Sequence, residues 1–336
     1  MTLRSHLMAA AALLGLVAPA WAAEPPALAL TRQWAGPDGG WDFSSFDPVR
    51  GRLYVARTDG VTALDAASGQ VTDHLLTASR THAAVPINGG EEILVTVTSS
   101  GSAIIANATT GALRASLPTG KKPDAAMVEP ATGLAMVFDN AGGGVTLIDP
   151  RTARAVGAIA TPGALESPAA DGSGRVFVNV EDLAEVVVLD APARRVVAHY
   201  PLPGCESPSG LAYAPGPKLL VSACANHKAL VLAADTGALV ATLEIGGRPD
   251  WAGYDARTGQ VLIPTGEDGL VNLIAVFAKG AEVTARVAGH VGSRSGAIDP
   301  ASGRLFLPSA EFTPNPGGRP TPIPGSFKIL ALDPSR

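Results

Sequence analysis

Seven polar residues recur along this chain at a nearly constant spacing of 40 to 44 residues, and their side chains could act together. Four of them are carboxylates, which would repel one another if the fold brought them close and would then bind protons more tightly. A hard cation such as Ca²⁺ takes several carboxylate and carbonyl oxygens and would relieve that repulsion. We call the set the ring residues: Asp42, His82, Asp124, Glu166, Ser209, Asp250 and Arg294.

Three interpretations of the ring residues follow from their chemistry. The four carboxylates Asp42, Asp124, Glu166 and Asp250 can be ligands of Ca²⁺ or another divalent cation. Alternatively, Arg294 and His82 can neutralise part of the negative charge within the protein. In the third interpretation, each carboxylate accepts backbone N–H bonds from the neighbouring repeat and only holds the fold together.

The elements around the ring residues show the same period. After Asp250 comes a short stretch of small and apolar residues, a turn from Asp255 to Gly259 and an apolar strand from Val261, and related stretches follow Asp42 and Asp124. A repeat of about 40 residues with about four short strands is typical of the blades of a β-propeller. We therefore predict an all-β, seven-bladed β-propeller of four-stranded antiparallel blades, which begin near residues 41, 81, 123, 165, 207, 249 and 293.

The last repeat is incomplete and predicts how the propeller closes. It offers strands near 295–299, 304–309 and 327–332, and the chain ends before a fourth strand can form. An alternating segment at about 28–34 precedes the first repeat and would supply the missing strand. This closure would remove the two exposed edges that an open array leaves.

The predicted blades also place the ring residues. The first strand of each blade lines the central channel, so all seven side chains are expected at one mouth of that channel. The loops between the second and third strands add polar side chains such as Arg57 and Asp139, and Trp41 and Trp251 stand next to two ring carboxylates. The concave mouth with its polar rim is therefore a candidate binding surface.

Two other features stand out. The loop at 310–326 is rich in Pro and Gly, which predicts no regular structure there, and its role stays open between function and mobility. Cys205 and Cys224 fall in one repeat, near the open ends of a predicted hairpin in which residue 208 lies opposite 224. They form either a disulfide or a pair of free thiols.

The N-terminal segment and the composition restrict the class of protein. Arg4, an apolar run over 7–20 and a small-x-small site ending at Ala22 predict a signal peptide over 1–22. Residues 23–336 would then form a single periplasmic or secreted propeller, without a membrane span and expected to be monomeric. A formal net charge of −5 and the lack of a Lys/Arg cluster argue against nucleic acid as a partner.

The repeat also resembles a known family. The Pro123-Asp124 start with Glu129 five residues on, the Leu53-Tyr54-Val55-Ala56 strand and the Leu64-Asp65-Ala66-Ala67-Ser68-Gly69 turn are similar to the YVTN (YncE-like) β-propeller repeats, which are themselves WD40-like. The resemblance covers residues 23–336. It implies the propeller architecture but no single activity, because the family includes uncharacterised exported proteins alongside distant lactonase-like and dehydrogenase-like propellers.

Two classes of function remain. The first is a binding or scaffold module that takes a protein or a small molecule at the channel mouth and loop face. The second is a metal-assisted, lactonase-like hydrolase that uses the ring carboxylates. The chain has no Gly-x-Ser-x-Gly, His-Glu-x-x-His or Cys-x-x-Cys-His motif, which favours the first class and leaves catalysis uncertain.

Overall fold

A computed structural model describes residues 28–313 and 321–335 of the chain. The predicted signal peptide over 1–22 lies outside the described residues. The described part is built from seven four-stranded antiparallel sheets. It contains two single-turn 3-10 segments, Asn88–Gly90 and Thr98–Ser100, and no α-helix. Within the same residues, no helix has the length and apolar character that crossing a bilayer requires.

Strand β1 (Leu28–Ala35) comes first, and the blades follow in chain order. Blade one contains β2 (Trp41–Asp47), β3 (Arg52–Arg57), β4 (Gly60–Asp65) and β5 (Val71–Thr77). Blade two contains β6 (Thr81–Ile87), β7 (Glu92–Val97), β8 (Ser102–Asn107) and β9 (Leu113–Pro118). Blade three contains β10 (Pro123–Val128), β11 (Ala135–Asp139), β12 (Val145–Asp149) and β13 (Arg154–Ile159).

Blade four contains β14 (Leu165–Ala170), β15 (Arg175–Val180), β16 (Glu185–Asp190) and β17 (Arg195–Pro201). Blade five contains β18 (Pro208–Ala214), β19 (Leu219–Cys224), β20 (Lys228–Ala233) and β21 (Leu239–Glu244). Blade six contains β22 (Gly253–Asp255), β23 (Gln260–Thr265), β24 (Leu270–Phe277) and β25 (Gly280–Ala288). Blade seven contains β26 (Ala297–Ile298), β27 (Leu305–Ser309) and β30 (Lys328–Pro334), with β28 (Phe312–Thr313) and β29 (Thr321–Pro322) in its long loop.

Blade seven closes the ring in the predicted way. Its strand order is β26-β27-β30-β1, so the first strand of the chain is the fourth strand of the last blade. Leu28 pairs with Pro334 and Ala35 with Lys328 across this antiparallel contact. Thr31 of β1 donates to Oδ2 of Asp333 at 2.5 Å across this contact, and Arg304, just before β27, donates to both carboxylate oxygens of Asp333 from the other side of β30, at 2.6 and 3.1 Å. The predicted fold class, a seven-bladed propeller closed by the N-terminal strand, is confirmed.

The core lies between neighbouring blades. The second strands are buried on both faces, as their continuous apolar runs require. Side chains of adjacent sheets share one cluster, as Phe138 and Leu147 of blade three do with Val178 and Val187 of blade four. The fourth strands alternate between exposed and half-buried side chains because they form the outer surface.

The predicted blade starts coincide with observed strand starts in blades one to four, and blade five begins one residue later, at Pro208. In blades six and seven the first strands begin four residues after the predicted starts near 249 and 293. In blade six, Pro249 makes an isolated bridge to Thr265, and the N–H of Asp250 donates to the carbonyl of Arg294 in the next blade. Pairing with the second strand therefore resumes only at Gly253.

The Pro-rich loop of blade seven contains more structure than its composition predicts. Phe312 pairs with Pro322 and Thr313 with Thr321 in a two-residue ladder. The N–H of Ile323 donates to the carbonyl of Glu311 at 2.8 Å and closes this short hairpin. The prediction of no regular structure over 310–326 is therefore wrong at both ends of the loop, while 314–320 lie outside the described residues.

A disulfide joins Cys205 to Cys224, with the two Cα atoms 5.4 Å apart. Pro208 lies opposite Cys224 in the β18–β19 ladder, the register that the sequence predicts. Cys205 is three residues earlier in a turn in which its N–H donates to the carbonyl of Leu202. This turn brings the sulfur back to the end of β19.

Candidate functional site

A repeated β-bulge presents the ring residues to the channel. In blade one, Trp41 pairs with Arg57 and Ser44 with Val55, so two residues of β2 lie opposite one residue of β3. The same extra residue occurs at the start of the first strand in blades two to five. The ring residue is the first bulged position each time. Because a bulge changes the direction of the side chain it carries, this irregularity aims one polar group from each of these five blades at the channel mouth.

Three ring residues from three consecutive blades form one cluster. His82 lies between Asp42 and Asp124, and its Nδ1 is 2.5 Å from Oδ2 of Asp42 and 2.9 Å from Oδ1 of Asp124. One ligand atom from each of the three side chains lies within 4.8 Å of the others. The second imidazole nitrogen, Nε2, is buried and has no hydrogen-bond partner among the described residues. We call these three residues the Asp–His–Asp cluster.

The cluster shifts the protonation of its members. Burial disfavours the imidazolium of His82, but the hydrogen bonds and charges of Asp124 and Asp42 outweigh burial and raise its pKa to about 9. Burial raises the pKa of Asp42 to about 6; the negative charges of Asp250 and Asp124 add to this shift, and the hydrogen bond from His82 opposes it. Near neutral pH, His82 is therefore a cation between two carboxylates.

The opposite side of the ring contains a permanent ion pair. Nε of Arg294 donates to Oδ2 of Asp250 at 2.7 Å. The charge of Asp250 raises the pKa of the Arg294 guanidinium, as does its hydrogen bond to the same carboxylate. Unlike His82, Arg294 keeps its charge throughout the pH range in which His82 titrates.

Within residues 28–313 and 321–335, Glu166 makes no salt bridge. It accepts a hydrogen bond of 2.6 Å from Nδ2 of Asn140, which lies in the loop after β11. Burial raises the pKa of Glu166 well above its usual value, and the negative charges of Asp124 and Asp250 raise it further. The ring therefore contains four carboxylates but only two cationic side chains.

Ser209 does not join the other ring residues through its hydroxyl. That group donates to the carbonyl of Pro249 at 2.6 Å and links blade five to blade six. The structure thus brings six of the seven predicted side chains into one electrostatic group and uses the seventh in the backbone network. Asn140 was predicted only as one of many polar loop residues, and nothing in its sequence context distinguishes it.

The ring could hold a cation in two ways. The four carboxylates proposed for a hard cation are divided, since Asp250 pairs with Arg294 and Glu166 with Asn140. The Asp–His–Asp cluster offers one nitrogen and two carboxylate donors, a set that suits a transition metal better than it suits the all-oxygen preference of Ca²⁺. Alternatively, an organic cation could lie among the four carboxylates and compensate the excess negative charge.

A cavity of about 160 Å³ lies in the channel, one layer below the ring. Its walls come from the residues that directly follow the ring residues on the first strands, mostly Ala and Ser, with Phe43, Met127 and Trp251 among them. Small residues directly follow His82, Asp124 and Glu166 in the sequence, and this pattern could have indicated open space in the channel. The cavity itself was not predicted.

The other predicted rim residues have structural roles. Arg57 is fully buried, donates to the carbonyls of Pro37, Gly39 and Gly40, and lies 3.6 Å from the ring centroid of Phe327. Asp139 accepts the backbone N–H groups of Lys121 and Lys122. Trp41 is buried between Phe312 and Phe327. Of the two tryptophans considered as ligand contacts, only Trp251 lines the channel.

Comparison with known proteins identifies the fold. No family model matches the chain, and no curated protein matches it in sequence. Among solved structures, a chain of a mitotic checkpoint complex is similar, with a TM-score of 0.75 and 12% identity over 99% of this chain and 98% of that one. A chain of hydrazine synthase from Kuenenia stuttgartiensis has a TM-score of 0.71 and 15% identity over 80% of this chain and 92% of that one. At these identities the likeness shows a β-propeller fold alone.

Proposed function

We propose that this protein is a binding propeller of the YVTN (YncE-like) type, which binds a cationic ligand at the channel mouth. The observation that carries the proposal is the imbalance of charge among the ring residues: four carboxylates face two cationic groups. A bound cation would compensate this imbalance inside a mouth that is already formed. The propeller fold is consistent with a binding or scaffold module, and a protein partner would reach the same mouth with a Lys or Arg side chain.

The protonation of the ring supports a cation over an anion. Burial and neighbouring negative charges raise the pKa values of Asp42 and Glu166, so the free protein keeps protons on groups that a cation would ionise. Binding a cation should therefore release protons, whereas binding an anion should not.

Calorimetric titration tests this proposal. Amines, divalent metal ions and carboxylates are titrated at about pH 6.5 in two buffers of different ionisation enthalpy. We expect only the cations to give a heat of binding. That heat should differ between the two buffers, because the protons released on binding are taken up by the buffer. The variant Glu166→Gln should weaken binding, while Glu282→Gln on the exposed outer strand β25 should not. Binding of anions alone, or equal affinities in the two variants, would contradict the proposal.

The proposal includes export to the periplasm or the extracellular medium. It is supported by the signal-peptide pattern over 1–22 and by the Cys205–Cys224 disulfide, since disulfides persist in oxidising compartments. We expect the exported protein to begin at Ala23, which an intact mass would detect. A thiol titration of the unfolded, unreduced protein should find no free thiol. A cytosolic protein that retains residues 1–22 would contradict export.

A second candidate function is metal-assisted hydrolysis, and the Asp–His–Asp cluster favours it. Its donors fit a transition metal, and such an ion, when bound, supplies an activated water. Glu166 lies outside this donor set, and because burial raises its pKa well above the usual value it is the ring carboxylate suited to accept a proton. Elemental analysis of protein purified without chelators distinguishes the two candidates. Stoichiometric metal that is lost in His82→Gln, together with chelator-sensitive lactone hydrolysis, would favour the hydrolase.

A further inference from the structure

The cavity below the ring has a feature that packing alone does not explain. The hydroxyls of Ser44 and Ser167 are both buried and have no hydrogen-bond partner among the described residues. Ser44 is 9% exposed and Ser167 is 5% exposed, and both residues line the cavity. Buried hydroxyls in folded proteins nearly always have a partner. Two orphan hydroxyls that share one cavity therefore indicate a polar group that binds there.

Apart from Ser45, whose hydroxyl donates to the carbonyl of Ala84, the rest of the cavity wall is apolar. Ala83, Ala125 and Ala126 leave the space open, and Phe43, Met127 and Trp251 supply larger apolar surface. An engineered apolar cavity of roughly 150 Å³ in another protein is large enough to take up benzene. The cavity is thus large enough for a short aliphatic chain, whose burial away from water is favourable.

Residues that line the cavity closely follow the ring residues along the chain. Ser44 lies two residues after Asp42, and Ser167 and Trp251 directly follow Glu166 and Asp250. A ligand on the channel axis would therefore meet carboxylates at the mouth, then apolar walls and two hydroxyls. This order of surfaces is complementary to a molecule with a cationic head, a short apolar body and a second hydrogen-bonding group.

We propose that the channel binds a short aliphatic amine, with its ammonium group among Asp42, Glu166 and Asp250 and its chain in the cavity, where Ser44 and Ser167 bind a terminal polar group. This inference rests on the proposed function, since it assumes that the mouth binds a cation. It adds the class of ligand and a second set of binding residues.

A series of probes tests the inference by calorimetric titration at about pH 8: three of them share a four-carbon chain, and ammonium is the reference without a chain. The probes are ammonium chloride, butylamine, 4-aminobutan-1-ol and butan-1-ol. We expect both amines to bind at least tenfold more tightly than ammonium, and the amino alcohol more tightly than butylamine. Butan-1-ol should show no binding, because it lacks the charge that the mouth requires.

Variants separate the mouth from the cavity. Ser167→Leu fills the cavity, so the two amines should lose their advantage over ammonium, which should bind as before. Ser167→Ala is the matched control: butylamine binding stays unchanged, and only the advantage of the amino alcohol falls. Ser44→Val replaces Ser167→Leu if thermal melts show that the leucine variant does not fold.

Three results would overturn the inference. Equal affinities of ammonium and butylamine, both weakened by Glu166→Gln, would refute the channel site and leave the cationic mouth intact. No binding by any probe or by any cation in the wider panel would refute both. Unchanged amine affinity in Ser167→Leu would also exclude the cavity as the binding site.

Discussion

This propeller contains two repeated sets of acidic residues, and they behave in opposite ways. One set lies in the tight turns, where Glu129 accepts backbone N–H bonds from Ala131 and Thr132 at 2.9 and 2.7 Å. The other set is the ring, where carboxylates meet side chains from other blades. The Ser68 backbone N–H and hydroxyl hold the pKa of Asp65 in a turn below its usual value, whereas burial raises the pKa of Asp42 in the ring to about 6.

The opposite pKa shifts of the two sets separate turn carboxylates, which stabilise the fold, from ring carboxylates, which we propose bind a ligand. A turn carboxylate is satisfied by residues two or three positions away and stabilises the fold in its charged form. In the ring, burial and neighbouring carboxylates raise the pKa values of Asp42 and Glu166, so the charged forms of these two groups oppose folding unless a cation compensates them. Repeated Asp and Glu residues in a propeller therefore cannot be assigned one purpose by their periodicity alone.

The largest effect is expected from removing a buried turn carboxylate. Glu129 is fully buried, and Glu129→Ala leaves two backbone donors and the hydroxyl of Thr132 without their acceptor. Each unpaired donor costs about 1–3 kcal/mol, so we expect a loss of roughly 2–4 kcal/mol in the free energy of unfolding. Urea denaturation measures it. A loss below about 1 kcal/mol would show that turn carboxylates are not needed for stability.

The next effect is the pH dependence that His82 imposes. Its pKa is raised from 6.5 to about 9, so the stability that it contributes is complete below pH 6.5 and is lost as the pH rises through 9. We expect the wild-type free energy of unfolding to fall across this window by on the order of 1–3 kcal/mol. His82→Gln should remove this fall, and His74→Gln, at an exposed histidine of β5, should retain it. Parallel pH profiles of all three proteins would contradict the charge assigned to His82.

A smaller effect of the opposite sign is expected at Glu166. Its pKa is raised, so the charged form destabilises the fold at alkaline pH and protonation relieves this at acid pH. Glu166→Gln removes the charge and keeps an acceptor for Asn140. We expect the variant to be more stable than wild type by about 1 kcal/mol at pH 8 and equal to it at acid pH. A less stable variant at pH 8 would mean that the ring charge is already compensated.

The smallest effect is expected at an exposed turn. Asp65 accepts the N–H groups of Ala67 and Ser68 at 3.2 and 2.8 Å, and an asparagine side chain accepts the same bonds. Asp65→Asn should change the free energy of unfolding by less than about 0.5 kcal/mol. A loss of stability as large as that of Glu129→Ala would show that the turn needs the negative charge of Asp65 and not only its acceptor oxygen.

Most of the fold could be predicted from the sequence because its signals are local or periodic. The turn residues fix the hairpins, and the missing strand after Leu332 together with the extra strand before Trp41 predicts the closure. The β18–β19 register, with Pro208 opposite Cys224, follows from the turn between them. The late strand start of blade six was missed, because it depends on the bond from Asp250 to the carbonyl of Arg294 in the next blade.

The site was predicted only as a set of positions. The spacing identifies all seven ring residues, but it does not indicate that His82 lies between Asp42 and Asp124 or that Ser209 turns to Pro249. Those contacts depend on the bulges in the first strands of blades one to five and on the packing of adjacent blades. The cavity was missed for the same reason, since small residues after a polar one are also common in closely packed strands.

The contact between β1 and β30 also determines when blade seven can form and the ring of blades can close during folding. The hydroxyl of Thr31 donates to the carbonyl of Ala331, a partner 300 positions away, so β1 is synthesised long before the strand with which it pairs. Only Leu28 of β1 is buried in the finished ring, so the waiting strand exposes little more apolar surface than the native protein does. Proteolytic loss at either end of the chain opens the same blade, so damage at one terminus should resemble damage at the other.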